Sequence, residues 1–191
     1  MSKFSNRYWV VIPAAGIGKR MGGEIPKQYL DLHGKPILMR TLGIFLTNDL
    51  VTELVVAIAP GDQYWPSIAK QIKDQRVITI EGGGERCQSV LNGLYALSEK
   101  AADNDWVLVH DAVRPCLSQE ALHRLFAHLS DHPTGGLLGC PLSDTLKRTD
   151  DQGSVLETLD RSHVWQAQTP QMFRYGLLKA ALERAITNNQ M

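Results

Sequence analysis

Short apolar runs recur along this chain at residues 8–13, 53–59, 77–80, 106–110 and 136–140, and most are rich in Val and Ile. A strand that is apolar at every position, rather than at alternate ones, has both faces covered, as in parallel sheets clad by helices. Helical patterns lie between the runs. Residues 36–46 open with Pro36, suited to a first helical turn. Residues 89–97 place Val90, Leu91, Leu94, Tyr95 and Leu97 near one face. Residues 118–129 begin with Ser118 as a cap and carry Ala121, Leu122, Leu125, Phe126 and Leu129 as an apolar stripe. A last helix is expected at about 174–186. The alternation predicts an α/β fold: an open, mostly parallel, doubly wound (Rossmann-like) sheet with helices on both faces. At 191 residues the chain suits a single domain, 1–191.

One segment breaks the rhythm. Residues 145–149 and 154–158 flank the turn-like Asp150-Asp151-Gln152-Gly153 and read as a β-hairpin within an arm at 141–163. Its apolar content is small, chiefly Leu146, Val155, Leu156 and Leu159. An isolated hairpin is marginal in water, so the arm needs a second surface. From these residues alone two readings stand level: an arm folded back on its own domain, and an arm exchanged with a second subunit.

Twenty Lys and Arg balance twenty Asp and Glu, so there is no large net field to attract nucleic acid or an anionic membrane, and neither is expected as a partner. The apolar run at 8–13 is too short for a signal sequence, and no stretch approaches a membrane span. Cys87, Cys116 and Cys140 are widely spaced and form no Cys-x-x-Cys pair. Reduced thiols and a cytoplasmic location are the expectation.

The richest segment follows the first strand: Ala14-Ala15-Gly16-Ile17-Gly18-Lys19-Arg20-Met21, then Pro26-Lys27-Gln28-Tyr29 and Gly34-Lys35-Pro36. A loop of small residues after a strand lets backbone N–H groups approach a phosphate. Two familiar phosphate loops fail. A Walker A loop needs Gly where Pro13 stands and Ser or Thr where Arg20 stands. A dinucleotide fingerprint needs a third Gly where Met21 stands, which disfavours a nicotinamide dehydrogenase. What remains is a glycine loop beside Arg20 and Lys27. Singly, each reads as a solvated charge; together they suit a triphosphate, whose oxygens gain charge in the transition state.

Other motifs follow in order: Glu81-Gly82-Gly83-Gly84-Glu85-Arg86-Cys87-Gln88-Ser89-Val90, Val109-His110-Asp111-Ala112-Val113-Arg114-Pro115, Asp144-Thr145-Leu146-Lys147, Asp160-Arg161 and Trp165-Gln166-Ala167-Gln168-Thr169-Pro170-Gln171. From the residues alone, Asp111 at a strand end is as well read as a turn cap as a magnesium ligand. Gly82 to Gly84 serve equally as a strand-to-helix turn and as a place where backbone nears a flat base. His128 and His132, four apart before Pro133, read as a solvated helix end, and His110 reads as a packing or hydrogen-bonding group rather than a base.

With these motifs the chain resembles the 2-C-methyl-D-erythritol 4-phosphate cytidylyltransferase family of the nucleotidyltransferase superfamily, from about residue 10 onward. The resemblance implies transfer of a cytidylyl group from CTP to a polyol phosphate, with Mg2+, in the non-mevalonate route to isoprenoid precursors. It assigns catalysis to Arg20 and Lys27, and CTP binding to Ala14, Ala15, Gly16, Gly18, Gly82, Gly83, Ser89 and Ala112. It assigns the metal to Asp111 and the acceptor substrate to Arg114, Thr145, Arg161 and Thr169. It further implies a homodimer whose arms swap, carrying Thr145 and Arg161 into the neighbouring site.

Family members continue with a Thr-Asp-Glu segment and a later Asp-x-Ile-Lys-Val-Thr-like stretch, bearing a second magnesium carboxylate and an acceptor-positioning lysine; neither occurs in these 191 residues. Weak metal binding and poor turnover are the expectation if the chain ends there. Two alternatives remain at this level: a cytidylyltransferase for another polyol phosphate such as ribitol 5-phosphate, and a non-catalytic CTP-binding or dimerisation module.

Overall fold

The computed structural model describes residues 7–16 and 25–188. The strands are β1 (Tyr8–Ala14), β2 (Val51–Ile58), β3 (Val77–Glu81), β4 (Trp106–Val109), β5 (Gly135–Pro141), β6 (Lys147–Thr149), β7 (Val155–Thr158) and β8 (Trp165–Arg174). The helices are α1 (Ile37–Leu46), α2 (Trp65–Ala69), α3 (Arg86–Ala96), α4 (Gln119–Leu129) and α5 (Tyr175–Thr187), with a 3-10 turn at Lys27–Tyr29. Six strands form one open sheet in the order β3-β2-β1-β4-β8-β5. β1 to β4 pair in parallel, and β8 runs antiparallel between β4 and β5. The mostly parallel α/β architecture expected from the sequence is therefore present.

Side chains alternate across a strand, and both sets are apolar here, so the sheet has two cores. Val10 and Ile12 of β1 join Leu54, Val56 and Leu108 under α1, α2 and α4, against Leu38, Phe45, Trp65, Leu122 and Phe126. Trp9 and Val11 join Val55, Val107 and Val109 on the other face, against Val90, Leu91 and Leu94 of α3 and Tyr175 of α5. Val10, Val11 and Ile12 are wholly buried. At about 1.5–3 kcal/mol for each fully buried aliphatic side chain, β1 and β4 anchor the fold.

The structure differs from the sequence reading at several points. The runs at 77–80 and 136–140 are edge strands, half-covered rather than buried on both faces. α3 begins at Arg86, before residue 89, and Pro36 is the cap of α1 rather than part of its first turn. Strand β8 and the five-residue α2 had no clear periodic signal, because Gln166, Gln168, Pro170 and Gln171 interrupt the apolar pattern of β8. Ser118 caps α4 as expected, its Oγ accepting from the Ala121 N–H at 3.1 Å.

The hairpin β6–β7 is separate from the main sheet. Its root is the β5–β8 pair, where Pro141 lies opposite Trp165, and Leu142 N–H donates to Val164 O at 3.1 Å. Since β5 ends and β8 begins at the edge where β1, β3 and β4 also end, the arm leaves from the side of the sheet where open α/β folds bind ligands.

Close approach of α3 to β1 needs a bare backbone at Gly93: an added Cβ would lie 2.6 Å from Val11 Cγ1. Gly93→Ala is expected to destabilise by roughly 1–3 kcal/mol through overpacking. Gly43→Ala in α1, where a new methyl meets nothing within 4 Å, should instead stabilise by about 0.5–1 kcal/mol. Urea unfolding of both variants checks the pair; equal shifts would contradict this packing.

Candidate active site

Parallel strands present their carboxyl ends on one edge, and the polar motifs meet there. At the end of β4, the Asp111 carboxylate lies between two guanidiniums. Oδ1 accepts from Arg86 at 3.0 and 3.1 Å, and Oδ2 accepts from Arg114 Nε at 2.9 Å. All three side chains are partly exposed, so these ion pairs are screened by water and modest in strength. Their arithmetic still matters: two cations and one anion leave a local positive charge. Arg86 belongs to the Gly82–Gly84 motif, but nothing in its spacing reveals that it reaches Asp111.

Behind Asp111 is a buried polar relay. His110 has no exposed surface. Its Nδ1 lies 3.0 Å from Thr169 Oγ1 and its Nε2 3.0 Å from Arg114 O, while Thr169 Oγ1 accepts from the Asp111 N–H at 3.3 Å. Burial pushes the imidazole pKa below its ordinary value, outweighing the opposing pull of the Arg114 carbonyl. The β8 ladder is irregular here: β4 pairing stops at Val109 opposite Gln171, and the β5 register shifts between Leu137 and Gly139. Thr169 therefore lies beside the end of β4. A cavity of about 330 Å³ opens next to it, lined among others by Arg114, Cys116, Leu138 and Gln168.

The two small-residue loops pack against each other. A Cβ on Gly82 would sit 2.6 Å from Ala15 Cβ and 2.8 Å from Ser89 Oγ, so only glycine fits. Gly83 N–H donates to Ser89 Oγ at 3.0 Å, and that hydroxyl faces the Gly83 and Glu85 carbonyls at 3.3 and 3.1 Å. Ser89 thus braces the loop, and the turn reading of this motif holds. Ala112 is buried, and its carbonyl accepts from Thr41 Oγ1 at 2.9 Å.

Gln28 is a site residue that sequence reasoning overlooked. Almost wholly buried, its Nε2 donates to Ala14 O at 2.8 Å and Gly16 O at 3.1 Å. This ties the start of the glycine loop to the turn bearing Lys27, which is exposed. Its only signal was its place beside Lys27. Gly18 and Arg20 lie outside the described residues. Thr145 and Arg161 are exposed at the base of the arm. Arg161 bonds the Ser143 carbonyl, and no hydrogen bond joins either residue to the Asp111 group. Within one chain the structure thus gathers Ala14 to Gly16, Lys27, Gly82, Gly83, Ser89, Asp111, Ala112, Arg114 and Thr169, but not the two arm residues.

One carboxylate in a positive surround suits a cation that arrives with phosphate oxygens and water rather than alone. Among the described residues no group of three or more His, Cys, Asp or Glu could hold an ion unaided. No helix of the described residues is long and apolar enough to cross a membrane.

An open α/β sheet with this edge belongs to a nucleotidyltransferase. Residues 8–191 match the family model for 2-C-methyl-D-erythritol 4-phosphate cytidylyltransferase, and the chain is a member of that family. It is 54% identical over 183 residues to the protein of that name from Pseudomonas fluorescens Pf-5, covering 95% of this chain and 77% of the relative. Its counterpart in Pseudomonas savastanoi pv. phaseolicola is 50% identical over 190 residues, covering 99% and 80%. The crystal structure of the Francisella tularensis enzyme superposes with a TM-score of 0.81 at 36% identity, covering 97% of this chain and 80% of that one.

Tyr29 next to the Lys27 turn gives a pH test. Burial and its 2.6 Å bond to Asp62 Oδ2 hold the phenol well above its ordinary pKa of about 10. The unfolded chain releases this proton first, so the stabilisation is complete below about pH 10 and falls as pH rises above it. Tyr29→Phe should flatten that alkaline loss in thermal unfolding curves; an unchanged slope would show that folding does not hold the phenol above its ordinary pKa.

Proposed function

We propose that this chain transfers the cytidylyl group of CTP to 2-C-methyl-D-erythritol 4-phosphate, releasing pyrophosphate, as the name of its family states. The observation that carries the reading is Asp111 held between Arg86 and Arg114 at the edge shared with the glycine loops. A phosphate oxygen of the acceptor attacks the α-phosphorus of CTP. A new P–O bond forms, the bond to the bridging oxygen of the β-phosphate breaks, and that oxygen leaves with pyrophosphate. No general base is needed, because a phosphate monoester with its second pKa near 6 is already largely dianionic at neutral pH.

The remaining work is positioning and charge neutralisation. Ala14, Ala15, Gly16 and Gly18 offer backbone to the triphosphate, while Gly82, Gly83, Ser89 and Ala112 shape the base pocket. Asp111 is the residue that would hold magnesium. When bound, that ion would offset phosphate charge and fix the triphosphate geometry. Arg20 and Lys27 stabilise the crowded α-phosphate, and Arg86 adds a third cation. Arg114 and Thr169 face the acceptor.

The arm supports a homodimer. Val155 and Leu156 are about 60% exposed, an apolar surface that a second copy would cover. Exchange of arms would also bring Thr145 and Arg161 to the partner's acceptor site, where arginine can grip phosphate bidentately. A cytoplasmic setting fits the unpaired cysteines.

Pyrophosphate release from CTP and magnesium is expected with methylerythritol phosphate, and not with ribitol phosphate or without an acceptor. Lys27→Ala should cost on the order of 10²–10³ in turnover; wild-type turnover in that variant would remove Lys27 from the mechanism. For the dimer, light scattering should report two chains for the wild type and one for Val155→Glu/Leu156→Glu. A wild-type monomer at all concentrations would rule out the exchanged arm.

A further inference from the structure

His110 is a fully buried imidazole that the transfer reaction leaves without a task. We infer that His110 is a positioning residue. Through its two ring nitrogens it sets the geometry of Asp111, Arg114 and Thr169 relative to one another. The inference rests on the cytidylyl-transfer reading above, which assigns metal and acceptor contacts to those three residues.

The hydrogen-bond directions follow from chemistry. A backbone carbonyl only accepts, so the nitrogen 3.0 Å from Arg114 O, Nε2, carries the hydrogen. In the neutral ring Nδ1 then accepts, and its partner at 3.0 Å is the Thr169 hydroxyl. With its proton directed to Nδ1, Thr169 Oγ1 accepts from the Asp111 N–H at 3.3 Å. Every donor in this three-bond relay has an acceptor, and of the two neutral tautomers only the Nε2–H form satisfies all three bonds. The ring also meets Phe45 edge-on at 5.2 Å between centroids, which limits its rotation.

The consequence lies in what the relay joins. Residues 111–114 form a turn closed by Arg114 N–H to Asp111 O at 3.2 Å. From one side Thr41 of α1 holds the Ala112 carbonyl. From the other, His110 holds the Arg114 carbonyl and, through Thr169, the Asp111 amide. Thr169 belongs to β8, 58 residues away from Asp111. Two strands distant in sequence are thus fixed at the point where a metal-bearing carboxylate and an acceptor-binding arginine must be placed together. Misplacement by about 1 Å at such a site costs on the order of 10² in rate.

His110→Phe keeps the ring shape and the contact with Phe45 while removing both polar atoms. With the full chain, kcat is expected to fall and the KM for methylerythritol phosphate to rise, together lowering kcat/KM about 10–100-fold. His110→Gln, which retains a donor for the Arg114 carbonyl, should recover part of the loss. Thr169→Val cuts the relay from its other end. If both act on one device, the double variant loses no more than the worse single one.

A structural role alone would lower the thermal midpoint but leave kcat and KM per folded molecule unchanged, and that result would overturn the inference. If His110→Phe does not fold, nitrogen NMR of the histidine-labelled wild type decides: Nε2 protonated with Nδ1 bare supports the relay, and the opposite tautomer overturns it. That spectrum is independent of turnover. A wild type with the correct tautomer but no transfer activity therefore fails the proposed function and leaves the relay standing.

Discussion

Burial of the central sheet on both faces is the constraint from which the rest follows. β1 and β4 have no exposed side, so their registers are fixed by two cores at once: Val10 and Leu108 under one helical layer, Val11 and Val109 under the other. A slip of one residue would exchange the two faces of a strand, and each core is shaped by different helices. Rigid strands then deliver their carboxyl ends to fixed points. The loops that follow β1, β3 and β4 can be small and polar because their anchors do not move.

The antiparallel strand β8 converts that scaffold into a site. Were the whole sheet parallel, the position beside β4 would place another strand end there and no strand start. Instead β8 enters at this edge, and Pro170 brings no N–H to the ladder. The interrupted pairing leaves Thr169 available to the side of β4, where His110 meets it. The same entry point explains the arm, since the chain between β5 and β8 must leave and return at the active edge. Its Val155 and Leu156 stay exposed within one chain.

Electrostatics at the edge are local. The chain as a whole is neutral, yet Arg86 and Arg114 converge on a single carboxylate, Asp111. Their partial exposure keeps each pair weak, and weak pairs can be reorganised by an incoming triphosphate without a large desolvation cost. Gln28, Ser89 and Thr41 do the opposite work. They are buried, make short bonds to loop carbonyls and hold the backbone that the charged groups stand on.

The sequence by itself determined the alternating strands and helices, the hairpin and the cap at Ser118, because period, turn chemistry and capping are properties of neighbouring residues. It also determined the family, because the motifs stand in order along one chain. The edge position of β3 and β5, the strand β8 and the partners of the site residues were decided by tertiary structure. Arg86 lies 25 residues from Asp111, and His110 lies 59 from Thr169. Gln28 reaches back to carbonyls 12 and 14 residues earlier. Such pairings depend on strand order, strand direction and register. Those are settled by how the two cores close, and no local pattern of apolar residues encodes them.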